Sequence, residues 1–112
     1  MTALQAAYDA VQHDLQATGS WDAATEELLA DSARHREWWL GQWPEGAAFV
    51  TGLLAQDVQE RVHEARNRQW PVCPEHADHP LFVEPDLGAD AFWVCHRTGL
   101  PCAPIGCLPT TG

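Results

Sequence analysis

The sequence predicts an α+β fold, with three helices in residues 1–69 and a small β segment in residues 70–112. Composition changes at Trp70: the first part holds one of the eight prolines, and the second holds the other seven and all four cysteines. Apolar residues recur at helical spacing in the first part, whereas proline and glycine break the second into short runs. A chain of 112 residues suffices for one core, so both parts are expected to form one compact domain.

The first two helices are predicted from caps and apolar stripes. Thr2 can cap the first helix and Gly19 can end it. Its stripe consists of Leu4, Tyr8, Val11 and Leu15. Ser20 or Asp22 can cap the second helix, which should end in the segment GQWPEG. Its predicted buried face consists of Trp21, Ala24, Leu28, Ser32, His35 and Trp39.

The third helix is predicted from about Gly46 to Arg68. Its stripe consists of Val50, Leu54, Val58, Val62 and Ala65. Each helix carries one histidine, and a rotation of about 100° per residue turns His13 and His63 away from the buried stripes. His35 faces inward in this projection, so we expect a core histidine with a hydrogen-bond partner.

Three tryptophans lie close together at the end of the second helix, in the segment EWWLGQW. Trp38, Trp39 and Trp43 could form an exposed aromatic contact patch. The alternative is that they close the end of the core, which is the commoner role of such residues. The sequence favours the second interpretation.

The β segment is predicted to contain the strands Leu81–Glu84 and Ala91–Cys95, joined by a hairpin loop in PDLGAD. The stretch LPCAPIGCL could add a third strand, and its prolines restrict it to an edge. So small a unit rarely buries enough apolar surface to order itself. Disulfides, a metal ion or docking onto another layer are the usual remedies.

The cysteine and histidine spacing favours a metal. Cys73 and His76 form a C-x-x-H pair, and 18 residues separate His76 from Cys95. Ligands placed before and after a hairpin meet at one end of it, as in a zinc ribbon. A standard ribbon would place its last ligand at position 98, which is Thr98 here.

Three residues are candidates for the fourth ligand. His79 lies three residues beyond His76, Cys102 would need a wide loop, and His96 would have to bind beside its neighbour Cys95. We therefore predict Zn²⁺ bound by Cys73, His76, His79 and Cys95, with Cys102 as the substitute ligand. The alternative is that these cysteines are small buried residues and the histidines solvent-facing ones. Cys102 and Cys107 are interpreted as free thiols before a disulfide pair.

The segments WPVCPEHADHPL, FWVCHRTG and APIGCL resemble a C-terminal pattern of short uncharacterised actinobacterial proteins, W-P-x-C-P-x-H-x-H-P-L, W-x-C-P and I-G-x-L. The resemblance covers the final third of the chain. It implies a zinc-ribbon-like site at Cys73, His76, His79 (displaced by one position) and Cys95, and it carries no activity. The chain departs from the pattern at His96, where proline is usual, and by adding Cys102 and Cys107.

Charge restricts the partners. Sixteen acidic residues against six basic ones, all arginine, give a formal net charge of -10. This balance argues against nucleic acid and against an anionic membrane surface, so we expect another protein as partner. The N-terminal stretch has neither a basic start nor a long apolar run, which predicts a cytoplasmic protein. Thiols or metal ligands are then more common than disulfides.

Three functions are compatible with these features. The favoured one is a non-enzymatic accessory or protein-interaction factor with a structural zinc site and no catalytic residues. The second is a small zinc enzyme with three protein ligands, a metal-bound water and Glu75 or Asp78 as general base. The third, thiol redox chemistry by Cys102 and Cys107, ranks last because they form no C-x-x-C pair.

Overall fold

The computed structural model describes residues 1–85 and 90–110 of the chain. It confirms the α+β class: three α-helices pack against a three-stranded antiparallel sheet. The helices are α1 (Ala3–Ala17), α2 (Ala23–Gln42) and α3 (Val50–Arg66), and a 3₁₀ helix (Pro44–Phe49) precedes α3. The strands are β1 (Phe82–Glu84), β2 (Phe92–Val94) and β3 (Pro101–Pro104).

The ends of α1 follow the predicted signals. The Thr2 hydroxyl accepts a hydrogen bond from the Gln5 N–H at 3.0 Å, which caps the first turn. Gly19 has a φ of 70°, and the Ser20 N–H donates to the Leu15 carbonyl at 2.8 Å. This left-handed turn satisfies carbonyls that the helix end would otherwise leave without a donor.

The buried face of α2 differs from the predicted one. Asp22 caps the helix by accepting a hydrogen bond from the Thr25 N–H at 2.9 Å. Trp21 therefore lies before the helix, and the predicted buried face was counted from a residue outside it. The buried residues of α2 are Thr25, Leu29 and Ser32. The prediction of a core histidine is wrong: His35 is exposed and pairs with the Arg61 guanidinium at 3.0 Å. Because α2 carries few large aliphatic residues, its apolar stripe was ambiguous.

The predicted stripe of α3 is largely correct. Val50, Leu54, Val58 and Val62 are buried, whereas Ala65 is exposed. The helix begins after the 3₁₀ turn and ends before Asn67, whose φ of 50° is left-handed. The predicted bounds were therefore too wide at both ends.

The sheet has the order β1-β2-β3, so the proline-containing strand lies at an edge as predicted. Val83 pairs with Trp93, and Trp93 pairs with Ala103. Because alternate residues of a strand point to opposite faces, these three buried side chains share the face that joins the helical core. Residues 86–89 of the predicted hairpin loop lie outside the described residues.

Asp14 connects α1 to the sheet and to the chain beyond it. The carboxylate is fully buried and accepts hydrogen bonds from Trp93 Nε1 at 2.8 Å, the Gly106 N–H at 2.7 Å and the Leu108 N–H at 3.1 Å. A buried carboxylate requires such donors to replace water. Asp14 thereby fixes β2, and the residues that follow β3, against the helices.

Among the described residues, none of the helices combines the length and the apolar content needed to cross a lipid bilayer.

Candidate metal centre

The first three ligand candidates lie in one closed loop, residues 73–79, which we call the ligand loop. An isolated β-bridge between Val72 and Pro80 closes its base. Inside this bridge the Cys73 N–H donates to the His79 carbonyl at 3.0 Å, and the His79 N–H donates to the His76 carbonyl at 3.3 Å. These bonds bring both ends of the loop together and turn its three candidate side chains toward one another.

The fourth candidate, Cys95, directly follows β2. The Cys95 N–H donates to the Leu100 carbonyl at 3.1 Å, and the Gly99 N–H donates to the Cys95 carbonyl at 2.7 Å. Gly99 has a φ of 75°, a conformation that a residue without a side chain adopts at little cost. The resulting tight reversal presents the sulfur atom toward the ligand loop.

The structure brings the four predicted ligands into one cluster. One ligand atom from each of Cys73, His76, His79 and Cys95 lies within 4.8 Å of all the others. Both cysteines are buried and both histidines are partly exposed. This group could hold a metal ion.

The closest distances resemble those around a tetrahedral zinc ion. The two sulfur atoms each lie 3.6 Å from His76 Nδ1, and Cys95 Sγ lies 3.8 Å from His79 Nε2. With bonds of about 2.3 Å to sulfur and about 2.05 Å to nitrogen, a tetrahedron separates sulfur and nitrogen by about 3.6 Å. These three sulfur–nitrogen separations are therefore close to the tetrahedral value.

The hydrogen-bonding capacity of the two imidazoles also favours a metal. Each ring nitrogen carries either one proton or one lone pair, so His76 Nδ1 cannot make a full hydrogen bond to both sulfur atoms. His79 Nδ1 lies 3.0 Å from the Pro80 carbonyl, which can only accept. His79 therefore carries a proton on Nδ1, and in the neutral imidazole the lone pair of Nε2 points into the cluster, which is the usual arrangement of a zinc-binding histidine.

The environment of Cys95 favours its thiolate. Hydrogen bonds from Thr98, chiefly from its backbone N–H, outweigh the effect of burial and lower the pKa of the Cys95 thiol to about 6, with smaller contributions from His76 and the Arg97 N–H. Thiolate is the form that binds metal ions. A zinc ribbon carries a ligand at position 98. In this protein Thr98 instead donates a hydrogen bond to the Cys95 sulfur.

An ion pair links the ligand loop to the turn after Cys95. Arg97 donates to Asp78 Oδ2 at 2.8 Å, and this hydrogen bond holds the pKa of Asp78 below its usual value. Both side chains are largely exposed, so the pair contributes modestly to stability. The pair bridges the two segments that carry the ligand candidates.

The other predicted residues lie outside the cluster. Cys102 is exposed, and partial burial together with the negative charges of Cys73, Glu75 and Cys95 raises the pKa of its thiol. His96 pairs with Glu84 at 3.2 Å and stacks on Phe82 with ring centroids 4.1 Å apart.

Cys107 is an exposed free cysteine, as is Cys102. Neither is a buried thiol, and their state as free thiols stays a prediction. Sequence reasoning missed the contributions of Arg97 and Thr98. Gly99, which indicates a tight turn in the residues after Cys95, is the sequence feature that points to Arg97 and Thr98.

The first 105 residues match a known family. Residues 1–105 fit the model described as Domain of unknown function (DUF8819), and the chain therefore belongs to that family. The match includes all four residues of the cluster. No curated protein and no solved structure matches the chain.

Proposed function

We propose that this member of the DUF8819 family is a zinc protein in which Cys73, His76, His79 and Cys95 bind one Zn²⁺ that stabilises the C-terminal third. We further propose that it acts as a non-enzymatic accessory factor for another protein. The observation that carries the proposal is the convergence of these four donor atoms within 4.8 Å. They come from two segments, the ligand loop and the turn after β2, which the Arg97–Asp78 ion pair also links.

The donor set supports zinc over other divalent ions. Two thiolates and two imidazoles are soft or borderline ligands, whereas calcium and magnesium require oxygen. Two thiolate charges also balance the charge of Zn²⁺, so the buried centre becomes neutral. Without a cation, two thiolates in such proximity would repel each other.

A structural role is supported by the number of protein donors. Four protein ligands complete a tetrahedron and leave no position for water. The alternative, a zinc enzyme with a metal-bound water, needs one of the four to withdraw and a free general base nearby. Asp78 is engaged by Arg97, and Glu75 is exposed to solvent. The arrangement of these ligands thus favours a zinc ion that stabilises the fold over one that takes part in catalysis.

Metal analysis tests the proposal. Tag-free protein purified with a reductant and without added chelator should contain about one equivalent of zinc. The double variant Cys73→Ser, Cys95→Ser should contain almost none, and the control Cys102→Ser, Cys107→Ser should retain it. Less than about half an equivalent in the wild-type protein would contradict the proposed site.

The accessory role and a cytoplasmic location form the second part of the proposal. Four free cysteines accord with a reducing compartment, and a net charge of -10 accords with a basic protein partner. The thiol redox alternative predicts that the double variant Cys102→Ser, Cys107→Ser loses its activity in the source cell. The proposal predicts that this variant behaves as the wild-type protein does.

A further inference from the structure

A groove of about 580 Å³ lies between α2 and α3, away from the proposed zinc site. We call it the α2/α3 groove. Its lining residues are Ser32, His35, Arg36, Trp38, Trp39, Asp57, Glu60, Arg61 and Glu64. It therefore combines aromatic, cationic and anionic side chains on two neighbouring helices.

The two arginines of the groove are already neutralised. Arg36 makes two hydrogen bonds to Asp57, at 2.6 and 2.9 Å. Arg61 donates to Asp31 and to His35 Nδ1. Because a guanidinium only donates, His35 accepts this hydrogen bond with Nδ1.

Two carboxylates of the groove have no such compensation. Glu60 and Glu64 are exposed and lie one helical turn apart on α3. Neither has an ion pair with any residue in the ranges 1–85 and 90–110. The groove thus presents uncompensated negative charge beside two satisfied ion pairs.

An aromatic wall borders these carboxylates. The Trp38 side chain is 70% exposed, which is unusual for so large an apolar group. Trp39 is held beneath Arg36, whose guanidinium carbon lies 4.9 Å from the ring, and edge-on against Trp43 at 5.3 Å. The wall therefore has one fixed indole and one that faces solvent.

Ser32 is one of the residues that line the groove, and its hydroxyl lacks a partner. The residue is 1% exposed, and its Oγ has no hydrogen bond within the described part of the chain. An unsatisfied buried hydroxyl carries a free-energy cost of about 1–3 kcal/mol. The lone pairs of Oγ can accept a hydrogen bond from a donor that reaches the floor of the groove at Ser32, which would remove this cost.

We propose that the α2/α3 groove binds an arginine side chain of a partner protein; this inference rests on the accessory role proposed above. A guanidinium offers five N–H donors and no acceptor, which complements carboxylate and hydroxyl oxygens. Its planar face also stacks on indole rings. Arginine and tryptophan are the residues that most often carry the binding energy of protein interfaces.

Two other occupants fit the groove less well. An anion would meet Glu60 and Glu64, and it would have to displace Asp57 from Arg36. An apolar side chain would bury the carboxylates without supplying donors, and unpaired buried charges are costly. The net charge of -10 would also steer a basic partner toward this protein.

The test is a titration of zinc-loaded protein with Nα-acetyl-L-arginine amide, followed by ¹H–¹⁵N NMR. The indole N–H signals of Trp38 and Trp39 and the backbone signals of α2 and α3 should shift. The uncharged Nα-acetyl-L-norleucine amide and the anionic Nα-acetyl-L-glutamate amide should leave them unchanged. Equal shifts with either control ligand would overturn the inference.

Charge variants refine the test. The double variant Glu60→Gln, Glu64→Gln should bind the arginine amide about fivefold more weakly, as expected for two exposed charge pairs. The control variant Glu26→Gln, Glu27→Gln changes the net charge equally near the start of α2 and should keep wild-type affinity. Equal weakening in both variants would overturn the inference, because binding would then follow net charge alone.

Two further measurements separate the possible failures. Concentration-dependent shifts of Trp38 and Trp39 without ligand would assign the groove to a second copy of this chain and overturn the inference. Zinc content and thermal midpoint are measured on the same samples. If the protein contains no zinc and the groove still binds the arginine amide selectively, the zinc site is contradicted and the inference about the groove is supported.

Discussion

Replacing His79 by alanine provides a demanding test of the zinc site. His79 directs Nε2 toward Cys95 Sγ at 3.8 Å, and its Nδ1 is fixed by the Pro80 carbonyl. The substitution removes one of four donors and leaves the aliphatic core unchanged. Any large loss of stability would therefore arise from the lost metal.

The size of the effect follows from linkage and chain length. A ligand present at 1,000 times its Kd stabilises the folded state by about 4.1 kcal/mol. An unfolding entropy of about 2.1 cal/mol/K per residue, taken over 112 residues, gives about 4 °C per kcal/mol. His79→Ala should consequently lower the thermal midpoint by about 15–20 °C.

His96→Ala is the matched control. His96 lies in the same third of the chain, but its ion pair with Glu84 is half-exposed and worth about 0–1 kcal/mol. Its substitution should lower the midpoint by about 4 °C or less. Calorimetry with and without a strong chelator should show a large chelator effect for the wild-type protein and His96→Ala, and little for His79→Ala. Equal losses in both variants, or a wild-type protein indifferent to the chelator, would refute the reasoning.

Three further outcomes are expected. Asp14→Ala should destabilise the protein by about 3–6 kcal/mol in urea unfolding, because the Trp93, Gly106 and Leu108 N–H donors lose their acceptor. The exposed Asp9→Ala should change stability little, and similar values for the two variants would count against the structural role of Asp14. Gly106→Ala should also destabilise it in the same assay, since Gly106 has a φ of 97° and an added Cβ would lie 2.8 Å from the Ala10 Cβ; unchanged stability would contradict this packing. The pKa of the Cys95 thiol is lowered to about 6, so its thiolate contributes stability in full above the unfolded pKa near 9 and loses this contribution as pH falls through 6. Zinc release to a chromophoric chelator should therefore rise below about pH 6. Constant zinc retention down to pH 4 would contradict this prediction.

Much of the fold could be predicted from local signals. The ends of α1 could be predicted from Thr2 and Gly19, because capping by a hydroxyl and a left-handed turn at glycine depend only on neighbouring residues. The prolines of β3 exclude it from the centre of the sheet for the same reason. The buried face of α2 could not be predicted in full, because two of its three buried residues, Thr25 and Ser32, are polar and their burial depends on tertiary packing.

The cluster could be predicted only in part. The spacing of Cys73 and His76, and their separation from Cys95, indicated which residues meet. The role of Thr98 was hidden, because its contribution comes chiefly from a backbone N–H, which any residue except proline carries. The buried position of Asp14 was also unforeseen, since its donors lie more than 75 residues away in the chain.

X-ray absorption at the zinc edge of the purified wild-type protein shows whether these four residues bind zinc. We expect one zinc ion per chain with two sulfur neighbours at about 2.3 Å and two imidazole nitrogens at about 2.05 Å. A shell with three protein ligands and a water oxygen, or protein that binds no zinc when reduced and supplied with it, would contradict the proposed site.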